Sequence, residues 1–410
     1  MTTHHDSQKG SGEATIQSAH GEPVEPRDDS DPTGRYRSSA AERVQQNVAA
    51  SDGSAEPAEA ESDAQPEEET VQSPIERFPW MKDTRQWGVR APLTEHGLTI
   101  ESILVGVYGE IPDESREMTR MPRGSFATPG MPRLDNYSVN RKDELWSDNA
   151  ATLYEEAIQR RWNAMQDISW DELPTLTEEL ELAWCQLCTE LGQHATAEID
   201  TIGQWLHRMN YAYIEPKMFL ATQEFDSARH FETMRHRALC NGGALGLESP
   251  GMMNRRMVET RAGWPEVSVS LYIARGTLTL LLYRFGAHFA RNPVDRKIFG
   301  LCLQDKARHM AYGLGMLKLT IAVKGVDFGV SLRRTLGSIE KDMAGELKDP
   351  VLWEAMAIIA GGSVRAMSDG KAPVDRLRSD YVRQYVKRLQ YTGIDKQESA
   401  LHPDLAAVLQ

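Results

Sequence analysis

Four cysteines in 410 residues are too few to staple a chain of this length. That excludes a disulfide scaffold and makes a cytoplasmic location the default expectation. No apolar core of a signal peptide stands near Met1, and no run of about eighteen uncharged apolar residues occurs, so no membrane span is expected. The most apolar stretch, Val267 to Leu282, is interrupted by Arg275. Sustained strand alternation is missing as well, and no repeat has a solenoid period. Positive charge is in deficit: the net charge is −14.

Residues 1–77 lack large apolar side chains almost entirely. They carry 17 acidic against 6 basic residues, about −11 of that total. A segment of this kind buries too little surface to offset its ordering entropy and is expected to be a disordered acidic tail. The rest of the chain is close to neutral, which argues against a nucleic-acid surface. Residues 78–142 are irregular and rich in Pro, Gly and Arg, with Trp80 and Trp87 as anchors. Helical periodicity dominates 143–395, and 396–410 form a C-terminal tail.

Helices are expected over Asp143–Gln166, Thr175–Met209, Glu215–Ala238, Pro265–Ala290, Pro293–Val323, Leu332–Leu347, Pro350–Ala360 and Val374–Leu389. The fold class is therefore all-α, a four-helix core with peripheral helices. Trp162 and Trp170 are expected to cap that core. Cys185 and Cys188 form a Cys-x-x-Cys in mid-helix, and their plainer reading is two small core residues. A zinc site would need a second pair, and Cys240 and Cys302 are not spaced as one.

One phrase occurs twice: Asp226-Ser227-Ala228-Arg229-His230 and Asp305-Lys306-Ala307-Arg308-His309. Positions 227 and 230 share a helix face, as do 306 and 309. A bundle-core metal site uses Glu-x-x-His from each of two helices. Here Ser227 and Lys306 stand in place of both glutamates.

The phrase resembles the doubled Asp-Glu-Ala-Arg-His of the ferritin-like di-iron oxidase superfamily, which includes ribonucleotide reductase small subunits, bacterial multicomponent monooxygenases and aminoarene N-oxygenases. Thr222-Gln223-Glu224-Phe225 before the first copy and Met310-Ala311-Tyr312-Gly313 after the second agree, and the likeness covers about Trp146 to Ile394. It implies a ferritin-like four-helix bundle. It also implies two further ligand positions, which fall on Glu198 and Arg275. Of the ligand set, Glu198, His230 and His309 then remain as vestigial ligands, and Ser227, Arg275 and Lys306 are substitutions. The supporting residues implied by the family, Asp226, Arg229, Asp305 and Arg308, are all present, each Asp taking a hydrogen bond from the opposite histidine.

A divalent ion about 5 Å from one cation is repelled by roughly 7 kcal/mol at an effective dielectric of 20. Arg275 and Lys306 would oppose an ordinary di-iron site and, facing Glu198 and the motif aspartates, replace the metal's charge. The leading expectation is a non-metal paralogue without cofactor, acting as a structural or regulatory partner, in a homodimer or with a partner subunit, or as a small-molecule binder. The alternative is an active oxidoreductase. It would use iron or manganese at low occupancy in a displaced site with His194, or metal-free redox chemistry at a tyrosine such as Tyr272 or Tyr283, or catalysis by Lys306 and Arg275. Lys306 could act as a base or form a Schiff base, and the pair could bind a carboxylate or phosphate.

Deleting residues 1–75 is expected to leave the melting temperature nearly unchanged. A drop of more than about 5 °C in a thermal melt would show that the segment stabilises the folded part.

Overall fold

Helix boundaries follow the residues that punctuate them. The side chain of Asn292 accepts a hydrogen bond from Asp295 N at 2.7 Å, and Pro293 occupies the first helical turn. Asp349 and Pro350 repeat the device, with Asp349 accepting from Val351 N at 3.1 Å. Both pairs satisfy amides that have no partner inside the helix, and proline adds a preset φ. Gly362 ends one helix in the left-handed region at φ 89°, where a Cβ would be strained.

The computed structural model describes residues 137–410 except 242, together with 78, 91–93, 95, 97–103 and 111–115. The chain divides into Met1–Arg77 and Phe78–Gln410, and every described residue belongs to the second unit. The expected acidic tail, Trp80 and Trp87 lie outside the described residues.

Among the described residues the structure is all-α, with isolated bridges but no strand. The main helices are α1 (Lys142–Leu145), α2 (Ala150–Gln159), α3 (Glu178–Leu206), α4 (Ile214–Leu239), α5 (Met252–Glu259), α6 (Trp264–Ser268), α7 (Gly276–Phe289), α8 (Pro293–Lys348), α9 (Pro350–Gly361), α10 (Met367–Thr392) and α11 (Pro403–Val408). None is long and apolar enough to cross a membrane. Helix α3 packs along α4 and α7 along α8. A long connection through α5 and α6 joins the two hairpins, as in ferritin-like bundles with one crossover. Helices α9 and α10 pair outside this core, with α9 also against α3, and α2 lies on α4.

The core face of α3 carries Leu180, Trp184, Leu187, Leu191 and Ile202, all buried. Helix α4 is different. Its buried stripe includes Gln223, Asp226, Ser227, His230, Thr233 and Arg237, so a polar seam runs through the middle of the molecule. The turn just before α7 and helix α8 approach closely because Gly313 has no side chain: a Cβ there would fall 2.0 Å from the ring of Tyr272.

Three expectations change. The opening helix over Asp143–Gln166 is two pieces, α1 and α2, separated at Trp146–Asn149. The helix expected to end at Val323 continues as a second half to Lys348, and the halves meet at Gly325, which takes φ 70° and ψ −164°. No atom crowds that position, so the backbone angle, not space, is what glycine supplies. Between α6 and α7 the chain forms π-helical turns over Val269–Arg275, which shifts the register of everything after them. The segment after 395 carries Glu398–Ala400 and α11, with Leu401 and Leu405 buried.

Candidate functional site

The two motif helices bring their polar faces together at the bundle centre. Asp226 and Arg229 come from α4; Asp305 and Arg308 come from the first half of α8. Arg229 donates to Asp226 at 2.5 Å and to Asp305 at 2.9 Å. Arg308 donates to Asp305 and, at 3.4 Å, to Asp226. The four side chains form a closed ring in which each aspartate meets both arginines. The histidines cross over: His230 Nε2 lies 3.1 Å from Asp305, and His309 Nε2 lies 3.2 Å from Asp226.

Lys306 reaches from α8 to α3 and forms an ion pair with Glu198. The same carboxylate accepts from Gln223 at 2.6 Å, and His309 Nδ1 stands 3.2 Å from it. All of these side chains are buried. Ser227 is also buried, and its hydroxyl has no hydrogen-bond partner. Three carboxylates, Glu198, Asp226 and Asp305, therefore face three fixed cations, Lys306, Arg229 and Arg308.

The ionisation of the site follows from this arrangement. Burial by itself would raise the pKa of Glu198, but Lys306 and His309 hold it far below the usual carboxylate range. Asp305 behaves likewise, with His230, Arg229 and Arg308 overcoming its burial. His309 is opposed by burial yet raised above the ordinary imidazole value, because the carboxylates of Asp226 and Glu198 stand at its two ring nitrogens. His230 is lowered by burial, only partly offset by Asp305. These are desolvation and hydrogen bonding acting in opposite directions on neighbouring groups.

Arg275 does not join Glu198 as expected. Its guanidinium pairs with Glu346 in the second half of α8 and lies 2.7 Å from His194 Nε2. The π-helical turns that end at Arg275 and the return of α8 past Gly325 account for the difference. His194 faces this second cluster, with Nδ1 2.9 Å from Thr279 Oγ1 and Nε2 3.1 Å from Glu190. Burial and the nearby charge of Arg275 push its pKa down to about 4. Burial also raises Glu346, an effect that Arg275 offsets only in part.

Four contributors were missed by the sequence reading. Glu190 sits one turn before His194, and Gln223 one turn before the first motif, so helical spacing could have found both. Glu346 gave no signal beyond an acid between the apolar positions Met343 and Leu347. Trp162, read as a cap of the core, donates its indole N–H to Asp305 at 2.8 Å. Trp170 stacks on His236 with ring centroids 4.0 Å apart. Tyr283 packs edge-on to His230 at 5.5 Å, and Tyr272 donates to Gln223 at 3.1 Å; burial first of all raises the pKa of both. Cys185, Cys188 and Cys302 are free and buried, while Cys240 is free and exposed. Among the described residues no group of three or more His, Cys, Asp or Glu is arranged to hold a metal ion.

Lys306→Ala should destabilise the fold by about 3–5 kcal/mol, since it strands a buried carboxylate. Combining Lys306→Met with Glu198→Leu should recover most of that loss; a double variant no more stable than the single in urea unfolding would refute the pairing. The histidines predict opposite pH limbs. His194 has a depressed folded pKa, so its contribution to stability is complete above about pH 6.5 and is lost as pH falls toward 4. That limb is worth up to about 3 kcal/mol. His309 has a raised folded pKa, so its contribution is complete below about pH 6.5 and is lost as pH rises from there through the higher folded value. In urea midpoints between pH 4 and 7, His194→Gln should lose less stability than the wild type, and parallel curves would exclude His194 as the cause of the acid limb.

No protein-family model and no curated protein matches the chain. Two solved structures of R2-like ligand-binding oxidase variants are similar to it. One, with an aerobically reconstituted Mn/Fe cofactor, is 17% identical with a TM-score of 0.41, covering 60% of this chain and 94% of that one. The other, with an anaerobically reconstituted Mn/Fe cofactor, is 18% identical with a TM-score of 0.35 and the same coverage. Similarity at these values carries no argument about this chain. The helices themselves, two packed hairpins joined by one long crossover, give the chain its all-α fold in a ferritin-like arrangement.

Proposed function

We propose that this chain is a metal-independent ferritin-like protein, in which an ion-paired centre takes the place of a dimetal site. On this reading it serves as a structural or regulatory partner, or as a small-molecule binder, rather than as an oxygen-activating enzyme. The observation that carries the proposal is the Lys306–Glu198 pair, buried where the family resemblance puts a carboxylate ligand. A metal needs deprotonated ligands with lone pairs to give. Here Glu198 is engaged by Lys306, Gln223 and His309, and His309 has a carboxylate at each ring nitrogen. The fixed charges already balance. A divalent ion added to them would leave two uncompensated positive charges in a desolvated site.

Space for a ligand lies outside the centre. A groove of about 430 Å³ runs between α3, α4 and α5, over a floor that includes Thr189, Gly192 and Thr196 and between walls that include Phe231, Leu245 and Val258. Its size and largely apolar lining suit a small molecule, which supports the binder form of the reading.

Protein purified from iron-supplemented medium should carry well under one iron per chain and lack near-ultraviolet oxo-bridge absorption. Two irons per chain would end the proposal. The converse design uses Ser227→Glu with Lys306→Glu. Ferrous or manganous ion should stabilise that variant by about 3–4 kcal/mol at a few hundred times Kd and leave the wild type unmoved. Strong metal stabilisation of the wild type alone would show that ligands lie elsewhere.

A further inference from the structure

The groove over α3 is walled on one side by a loop that the helix holds in place. The Gln186 side chain donates to the carbonyl of Leu247 and accepts from its amide, both at 2.8 Å. Thr189 accepts from the amide of Gly246 at 2.8 Å, and the Ser249 hydroxyl donates to buried Glu190 at 3.2 Å. Gly246 permits this approach, since a Cβ there would fall 2.5 Å from Gln186 Oε1. The wall is therefore set before any ligand arrives, which lowers the ordering cost of binding. The floor is open too: Gly192 has no side chain, and a Cβ there would stand 3.9 Å from the Phe231 ring.

The charges along the groove do not cancel. Arg255 and Glu259 pair with each other at 2.7 Å. Asp200 on α3 and Glu248 in the loop also line the groove, and among the described residues neither carboxylate has an ion pair or a hydrogen bond. Against these two acids stands one unpaired base, Arg235, whose guanidinium lies 6.0 Å from the centre of the Phe231 ring. The hydroxyl protons are already committed, from Thr189 to Cys185 O, from Thr196 to Gly192 O and from Ser249 to Glu190. Those hydroxyls can only accept from a ligand. The two acids also stand apart. Ser249 meets Glu190 and Gln193, so its neighbour Glu248 belongs to that level of α3. Asp200 lies about 10 Å further along the helix, and Phe231, Ala197 and Val258 line the space with apolar surface.

We propose that this groove binds an elongated organic diamine, with an ammonium at Glu248, another at Asp200 and a methylene chain over the apolar floor. An ammonium is a donor-only group, matched to carboxylates and hydroxyl lone pairs. An extended chain advances roughly 1.2 Å per bond, so the two nitrogens of octamethylenediamine stand about 11 Å apart. The inference rests on the small-molecule-binder form of the function proposed above and names the ligand class of its groove.

Calorimetry on the full chain would test it, with octamethylenediamine, octylamine, octanediol and suberate, four chains of matched length and different ends. The diamine should bind tightest, about fivefold or more above octylamine, the scale of one exposed ion pair, and its affinity should fall with added salt. Octanediol and suberate should bind more weakly than octylamine. Asp200→Asn and Glu248→Gln, both at exposed positions, should each remove the diamine's advantage and leave the ligand-free melting temperature unchanged. Equal diamine binding by wild type and the double variant would overturn the proposal, as would octylamine matching the diamine. Octanediol or suberate binding as tightly as the diamine would overturn the ligand class while the groove still binds a small molecule. Absence of binding by all four up to about 10 mM, near the weakest specific range, would overturn the proposal together with the binder reading of this groove.

Discussion

Everything at the centre of this bundle depends on one ammonium group meeting one carboxylate. Lys306 and Glu198 sit on helices from different hairpins, α8 and α3, and both are buried. Neither can be left alone there, because an unpaired buried charge costs several kcal/mol. The pair therefore locks the relative position of two hairpins whose apolar contacts would tolerate sliding. Such pairs are poor sources of net stability and better suited to singling out one packing among many. Gln223 adds a hydrogen bond to Glu198 and His309 Nδ1 stands 3.2 Å from it, so the carboxylate does not rest on Lys306 alone in a place where a partly satisfied polar centre would be worse than an apolar one.

The ring of Asp226, Arg229, Asp305 and Arg308 is the frame around that pair. It orients both histidines, and through them the aromatic shell of Trp162 and Tyr283. A ring of two aspartates and two arginines closes and balances in charge without any ion. That separates the scaffold's integrity from any chemistry done within it.

Much of this was legible in the sequence, and the reasons differ by element. The motif pair was readable because two identical spacings on helical stretches must present Asp, Arg and His in the same way. Asn292-Pro293 and Asp349-Pro350 marked helix starts through local capping chemistry, which needs no tertiary context. The partner of Arg275 was not readable. Glu346 is 71 residues away, beyond a glycine kink whose angle no periodicity reveals, and π-helical turns rotate Arg275 away from the expected face.

The division of α8 at Gly325 explains why there are two buried charge clusters rather than one. Before the kink, Asp305, Lys306, Arg308 and His309 look into the four-helix core. After it, Glu340, Asp342 and Glu346 take partners from three other segments: Lys396 at 2.6 Å, Arg256 on α5, and Arg275 at the start of α7. The second half of the helix thus serves as an acidic clamp that ties the C-terminal segment and the crossover onto the core. A straight helix of this length would carry those acids off into solvent. The kink turns them back, and the crossover can then be long and irregular without becoming loose. Arg275 belongs to this clamp by its pairing with Glu346. His194, between Arg275 and Glu190 and within electrostatic reach of Lys306, is where the two clusters meet. A neutral imidazole is the side chain suited to that place, because a proton there would set a third cation between Arg275 and Lys306.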